Sequence, residues 1–107
     1  MKKLILAIAA SGLFACLIAL AQAKTPEELL TASGCTGCHS IDKKMVGPAY
    51  KEVAAKYRGD KAAEAKLVEK VKKGGGGVWG GPIPMPPQAH VKDEDIKTLV
   101  KYILSLK

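Results

Sequence analysis

The clearest periodicity lies at the carboxyl end. Ile96, Leu99, Val100 and Ile103 fall at i, i+3, i+4 and i+7, and Leu106 continues the stripe. This predicts an amphipathic helix from about Asp93 to Leu106. Asp93, Glu94 and Asp95 sit at its positive end, and Lys101 and Lys107 toward its negative end, as the helix dipole favours. Ala63, Leu67, Val68 and Val71 form the apolar face of an earlier helix, with Asp60 as its cap and Gly74 as its stop. Tyr50–Tyr57 reads as a short helix between Gly47-Pro48 and Gly59. A first helix opens on Thr25-Pro26-Glu27-Glu28, with Thr25 capping, Pro26 in the first helical position and Glu28 completing a capping box. Leu29 and Leu30 are its apolar side, and Gly34 ends it.

Between the last two helices the pattern disappears. Residues 74–89, "GGGGVWGGPIPMPPQA", hold six glycines and four prolines, which forbid a helix and leave too few donors for a strand. A flexible linker would not carry Val78, Trp79, Ile83 and Met85, so an ordered loop packed on something apolar is expected. The fold class is all-α, with three to five helices and no convincing strand.

The amino end has a different character. Lys2 and Lys3 precede an apolar run from Leu4 to Leu20, and Ala21-Gln22-Ala23 supplies a small-x-small cleavage pattern. Residues 1–23 are read as a secretory signal peptide and 24–107 as one mature domain of 84 residues. Two rival readings are an uncleaved membrane anchor, a little short for a comfortable span, and a lipoprotein with lipid on Cys16. Both still place the domain outside the cytoplasm.

Cleavage changes the charge and the cysteine count. Without Lys2 and Lys3, 15 basic residues face 10 acidic ones, a net charge of +5. Spread along helices, these lysines read either as a solvated surface or as steering toward an acidic protein partner. No aromatic-basic stripe points to nucleic acid. Of three cysteines only Cys35 and Cys38 remain. A domain of this length buries too little apolar surface to be comfortably stable unaided.

Those two cysteines lie in "GCTGCHS", residues 34–40. Cys-x-x-Cys followed at once by His is the signal for covalent haem c attachment. The spacing lets both sulfurs reach the two vinyl groups of one porphyrin, and His39 then lies over the iron as an axial ligand. Structural zinc wants four N or S ligands, and the separation of His39 from His90 matches no common finger. A thioredoxin-like dithiol needs a strand-rich fold. A covalently held macrocycle also supplies the missing core.

The sixth iron ligand decides what such a haem does. Met45 follows His39 by only six residues, too close to cross to the other face. His90 reads as a surface residue near the start of the last helix. Met85, braced by prolines in "IPMPP", is the expected ligand. His/Met ligation raises the reduction potential and leaves no vacant position, so the iron shuttles one electron.

"GCTGCHSIDKKMVGPAY", "YKEVAAKYRGD", "KKGGGGVWGGPIPMPPQ" and "YILSLK", in this order, resemble the small bacterial cytochrome c-551/c-552 family of class I c-type cytochromes. The resemblance covers essentially all of residues 24–107. It implies a small cytochrome c fold wrapped around one haem, with Cys35 and Cys38 as thioether anchors, His39 as proximal ligand and Met85 as distal ligand. It also implies that the Pro48 carbonyl accepts the His39 ring N–H, and that Trp79 either donates its indole N–H to a haem propionate or simply packs in the core. Five residues, Gly80 to Pro84, separate Trp79 from Met85, where relatives commonly have four. Lys70 stands where some relatives place a propionate-pairing arginine, and Gln88 where a side chain can bond the ligand sulfur.

The expected function is therefore that of a periplasmic electron carrier, monomeric by default, without enzymatic activity and without stable membrane insertion once the signal is removed. By resemblance its acceptors include a nitrite reductase, a terminal oxidase or a peroxidase, and its donor a bc1-type complex. The competing expectation is a haem enzyme or gas sensor with a displaceable sixth ligand.

Overall fold

The computed structural model describes residues 24–107, in which the chain forms four helices: α1 (Pro26–Ala32), α2 (Tyr50–Tyr57), α3 (Ala63–Lys73) and α4 (Asp93–Leu104). A short 3-10 turn, Cys35–Gly37, follows α1. Among the described residues there is no strand, only one isolated antiparallel bridge between Gly75 and Met85. The fold is all-α. No described helix is long and apolar enough to cross a membrane. The leader, its cleavage site and Cys16 lie outside the described residues.

Each helix start follows from local chemistry. The Thr25 hydroxyl accepts the Glu28 amide at 3.2 Å, and Pro26 occupies the first turn of α1, where its missing N–H costs nothing. Tyr50–Tyr57 is helical as its sequence suggests. α3 begins three residues after Asp60. The Asp60 carboxylate accepts the Ala62 amide at 2.9 Å, and this side-chain-held turn inserts itself before the helix proper. α4 has no side-chain cap; Asp93, Glu94 and Asp95 in its first turn complement the dipole instead. It ends at Leu104, and Leu106, expected within it, still packs against the core from beyond its end.

α4 is the element that all the others pack against. Its stripe of Ile96, Leu99, Val100 and Ile103 is buried throughout. Leu29 and Leu30 of α1 and Tyr50 and Val53 of α2 complete one cluster with Leu99 and Ile103. Each such aliphatic side chain contributes about 1.5–3 kcal/mol on burial. α3 behaves differently: only Ala63 is buried, and Leu67, Val68 and Val71 stay half-buried. Leu67 packs at the edge of the core cluster and, with Val71, lines a cavity. Lys72–Asp93 at 3.2 Å and Lys101–Glu64 at 3.9 Å tie α3 to α4, exposed pairs that each add less than about 1 kcal/mol.

Candidate functional site

His39 sits where two segments of loop are stitched together. The amides of Gly47, Tyr50 and Lys51 donate to the carbonyls of Cys38, Ser40 and Ile41 at 2.8, 2.9 and 3.1 Å. The segment 38–41 is thereby held against 47–51. Within this frame the His39 Nδ1 lies 2.8 Å from the Pro48 carbonyl. A carbonyl only accepts, so Nδ1 carries a proton, and in the neutral ring the lone pair is then on Nε2. Gly47 presses on the same ring: a Cβ at this position would come within 2.7 Å of Nδ1. Only a residue without a side chain permits that approach.

The opposite loop is held by backbone as well. Gly75 and Met85 exchange both their hydrogen bonds, and the Gln88 amide donates to the Val71 carbonyl of α3 at 3.1 Å. At Gly74, φ is +68° and ψ −156°, a region essentially closed to other residues. A Cβ there would also strike the Met85 carbonyl and the Pro87 nitrogen. The glycine at the end of α3 thus lets the methionine loop fold directly back on the helix.

Cys35 and Cys38 carry free, half-buried sulfurs. Burial pushes the Cys35 thiol above its ordinary pKa, partly offset by hydrogen bonding from Tyr50. The Tyr50 phenol is itself pushed strongly upward, by burial first and by Cys35 second. Both groups are therefore neutral in the ordinary pH range.

These groups surround one two-lobed cleft, with a larger cavity of about 370 Å³ and a smaller one of about 80 Å³. His39, Met85, Leu67 and Lys70 line both lobes. Cys38, Pro48 and Trp79 border the larger lobe, and Cys35 and Tyr50 the smaller. All six residues singled out in the sequence thus converge on one site. Trp79 packs half-buried against the core cluster, with the Lys56 ammonium 5.5 Å from its ring. Lys70 donates to the Gly76 carbonyl at 2.8 Å, and the Gln88 side chain to the Pro86 carbonyl at 2.9 Å. His90 is elsewhere: its Nε2 bonds the Ser33 carbonyl at 3.0 Å. Met45 is exposed. Among the described residues no three His, Cys, Asp or Glu side chains gather as a metal site.

Residues 24–107 match the family model for cytochrome c. The chain belongs to the cytochrome c family. Cytochrome c-551 of Pseudomonas aeruginosa is 56% identical over 87 residues, covering 81% of this chain and 82% of that protein. Cytochrome c-551 of Allochromatium vinosum is 62% identical over 78 residues, or 73% of this chain and 82% of its own length. The crystal structure of Nitrosomonas europaea cytochrome c552 superposes with a TM-score of 0.72 at 46% identity, covering 76% of this chain and 99% of that one. The chain is accordingly a small class I c-type cytochrome, an electron carrier with one covalently bound haem c.

The residues present fit that group. A cleft with largely apolar and glycine walls suits a macrocycle, two free sulfurs stand beside it, and the bond to Pro48 favours the imidazole tautomer that leaves Nε2 for iron. Sequence reasoning missed the roles of Gly47 and Gly74. In the sequence both mark only breaks in helix periodicity, yet each is a point of close approach. The signal for Gly47 was its position directly before Pro48, the residue whose carbonyl meets His39.

Proposed function

We propose that Cys35 and Cys38 form the two thioethers to haem c, that His39 and Met85 ligate its iron, and that the chain serves as a one-electron carrier of the periplasm. The observation that carries this reading is the convergence of His39 and Met85 on both lobes of the cleft, each held by backbone partners. Pro48 fixes the imidazole through Nδ1, and the resulting partial imidazolate character raises its basicity toward iron. The Gly75 bridge and the prolines around Met85 leave the thioether little freedom to swing away. When bound, the haem supplies a ferric/ferrous couple, and His/Met ligation places it at the higher end of the range. Trp79 is proposed to orient a propionate with its indole N–H.

Residues 1–23 are proposed as a cleaved leader, which places the mature domain in the periplasm. Its lysines favour rapid, salt-sensitive encounters with acidic redox partners rather than lasting complexes. A nitrite reductase, terminal oxidase or peroxidase as acceptor and a bc1-type complex as donor fit that chemistry.

The test is the optical spectrum of the mature holoprotein with and without exogenous ligands. A six-coordinate low-spin haem that resists carbon monoxide and cyanide at neutral pH, and opens to both on Met85→Ala, is the expected result. Prompt binding by the unaltered protein would instead mark a haem enzyme or gas sensor. An intact-mass measurement reports haem attachment, the cleavage point and any lipid on Cys16 together.

A further inference from the structure

The hydrogen bond from His39 to Pro48 fixes a direction but not a plane. Carbonyl acceptors tolerate a broad range of approach, so the bond to Pro48 leaves the tilt of the ring plane loosely defined. A second contact removes this freedom. The rings of His39 and Tyr50 stack with centroids 4.9 Å apart and planes 18° from parallel, an offset geometry that aromatic rings favour.

Tyr50 is itself immobile. It is 5% exposed, opens α2, and belongs to the cluster formed with α1 and α4. Its amide donates to the carbonyl of Ser40, the residue after His39. The ring and the backbone of one residue therefore grip both the histidine and its neighbour. Together with Gly47 and Pro48, Tyr50 makes the segment "GPAY" a three-point cradle for one imidazole.

We infer that Tyr50 is a positioning residue whose ring sets the plane of the His39 imidazole and, through it, the electronic environment of the iron. The inference rests on the reading of His39 as a ligand. Iron d-orbitals interact with the ligand π-system according to its orientation, so the plane governs how unpaired spin spreads over the porphyrin in the oxidised state. A residue that merely fills the core affects stability alone.

Tyr50→Phe and Tyr50→Leu, each made in the holoprotein, separate the two roles. Proton NMR of the oxidised protein reads the imidazole plane from the order and spread of the hyperfine-shifted haem methyl resonances, and a redox titration reads the potential. Phenylalanine keeps the stack and is expected to preserve the methyl order. Leucine is expected to change the order or narrow the spread and to move the potential. A leucine variant with the unaltered methyl pattern and potential, but a lower melting temperature, would reduce Tyr50 to core packing and overturn the inference.

Should the leucine variant not fold, the reduced unaltered protein decides. Through-space NMR contacts between the ring protons of Tyr50 and His39 are expected, and their absence overturns the inference. His39 ring protons outside the haem ring-current field would overturn the ligation reading and this inference with it, whereas ring-current-shifted protons without a Tyr50 contact overturn the inference alone.

Discussion

Gly75 and Met85 face each other across the cleft-bordering loop and exchange both backbone hydrogen bonds, Gly75 N–H to Met85 O at 2.8 Å and Met85 N–H to Gly75 O at 3.3 Å. Antiparallel pairing of this kind normally belongs to a sheet. Here it stands alone and fixes the height of a single methionine.

Gly74→Ala should release that hold. The backbone conformation at Gly74 costs a non-glycine residue about 1–3 kcal/mol, and the new methyl group would meet main-chain atoms at Met85 and Pro87 that cannot step aside. A lower denaturation midpoint is expected, together with cyanide binding to the oxidised holoprotein faster than in the unaltered chain. Stopped-flow spectroscopy with cyanide measures the second effect.

Gly47→Ala bears on His39, the other proposed ligand. A methyl group here would overlap the His39 ring, and displacing the ring lengthens the bond from Nδ1 to Pro48. Loss of that bond makes the imidazole a weaker donor, which favours ferrous iron. The reduction potential should rise, as a redox titration would show.

His90→Ala tests the link across the chain. Ser33 is 6% exposed, and its carbonyl accepts from His90, 57 residues away in sequence. Removing the donor should cost about 1 kcal/mol in chemical denaturation. The absorption spectrum should be unchanged, because His90 lines neither lobe of the cleft.

The pairing of Glu27 with Tyr102 makes stability depend on pH at both ends. Backbone hydrogen bonding first, and the Tyr102 hydroxyl second, hold the Glu27 carboxyl below its usual range. Glu27 hydrogen bonding raises the Tyr102 phenol above its own. A depressed carboxyl stabilises the fold above its unfolded pKa, and that contribution fades as pH falls through the folded value. A raised phenol stabilises below its unfolded pKa and loses its effect as pH rises past about 10. The stability difference between the unaltered chain and Tyr102→Phe should therefore be greatest near neutrality and shrink below pH 4, as denaturation curves at several pH values would show.

Helices were legible because their information is carried by side chains at regular intervals. The stripe of α4 is buried at every position that its spacing indicated, and Thr25 caps α1 as its sequence suggests. The haem c motif at Cys35, Cys38 and His39 was legible because haem chemistry restricts residue type and spacing together, and the structure brings Met85 to the same cleft. The details that hold these residues were not legible. The bridge from Gly75 to Met85 uses only main-chain atoms in a stretch with no periodicity, and the closeness of Gly47 to His39 shows only once the chain has folded. Asp60 was legible as a capping residue, but not the extra turn that its carboxylate supports before α3. His90, expected merely at the surface, is exposed and yet bonded to the end of α1.

The dependence of every other helix on α4 has a consequence for biogenesis. α4 follows the other three helices in the chain, so it leaves the ribosome, or any translocation channel, after everything it must bind. Until then α1, α2 and α3 lack the face they pack on. If Cys35 and Cys38 take the porphyrin, this chain order leaves an interval for attachment before the fold seals, and a transplant of α4 to the amino end by circular permutation would shorten it.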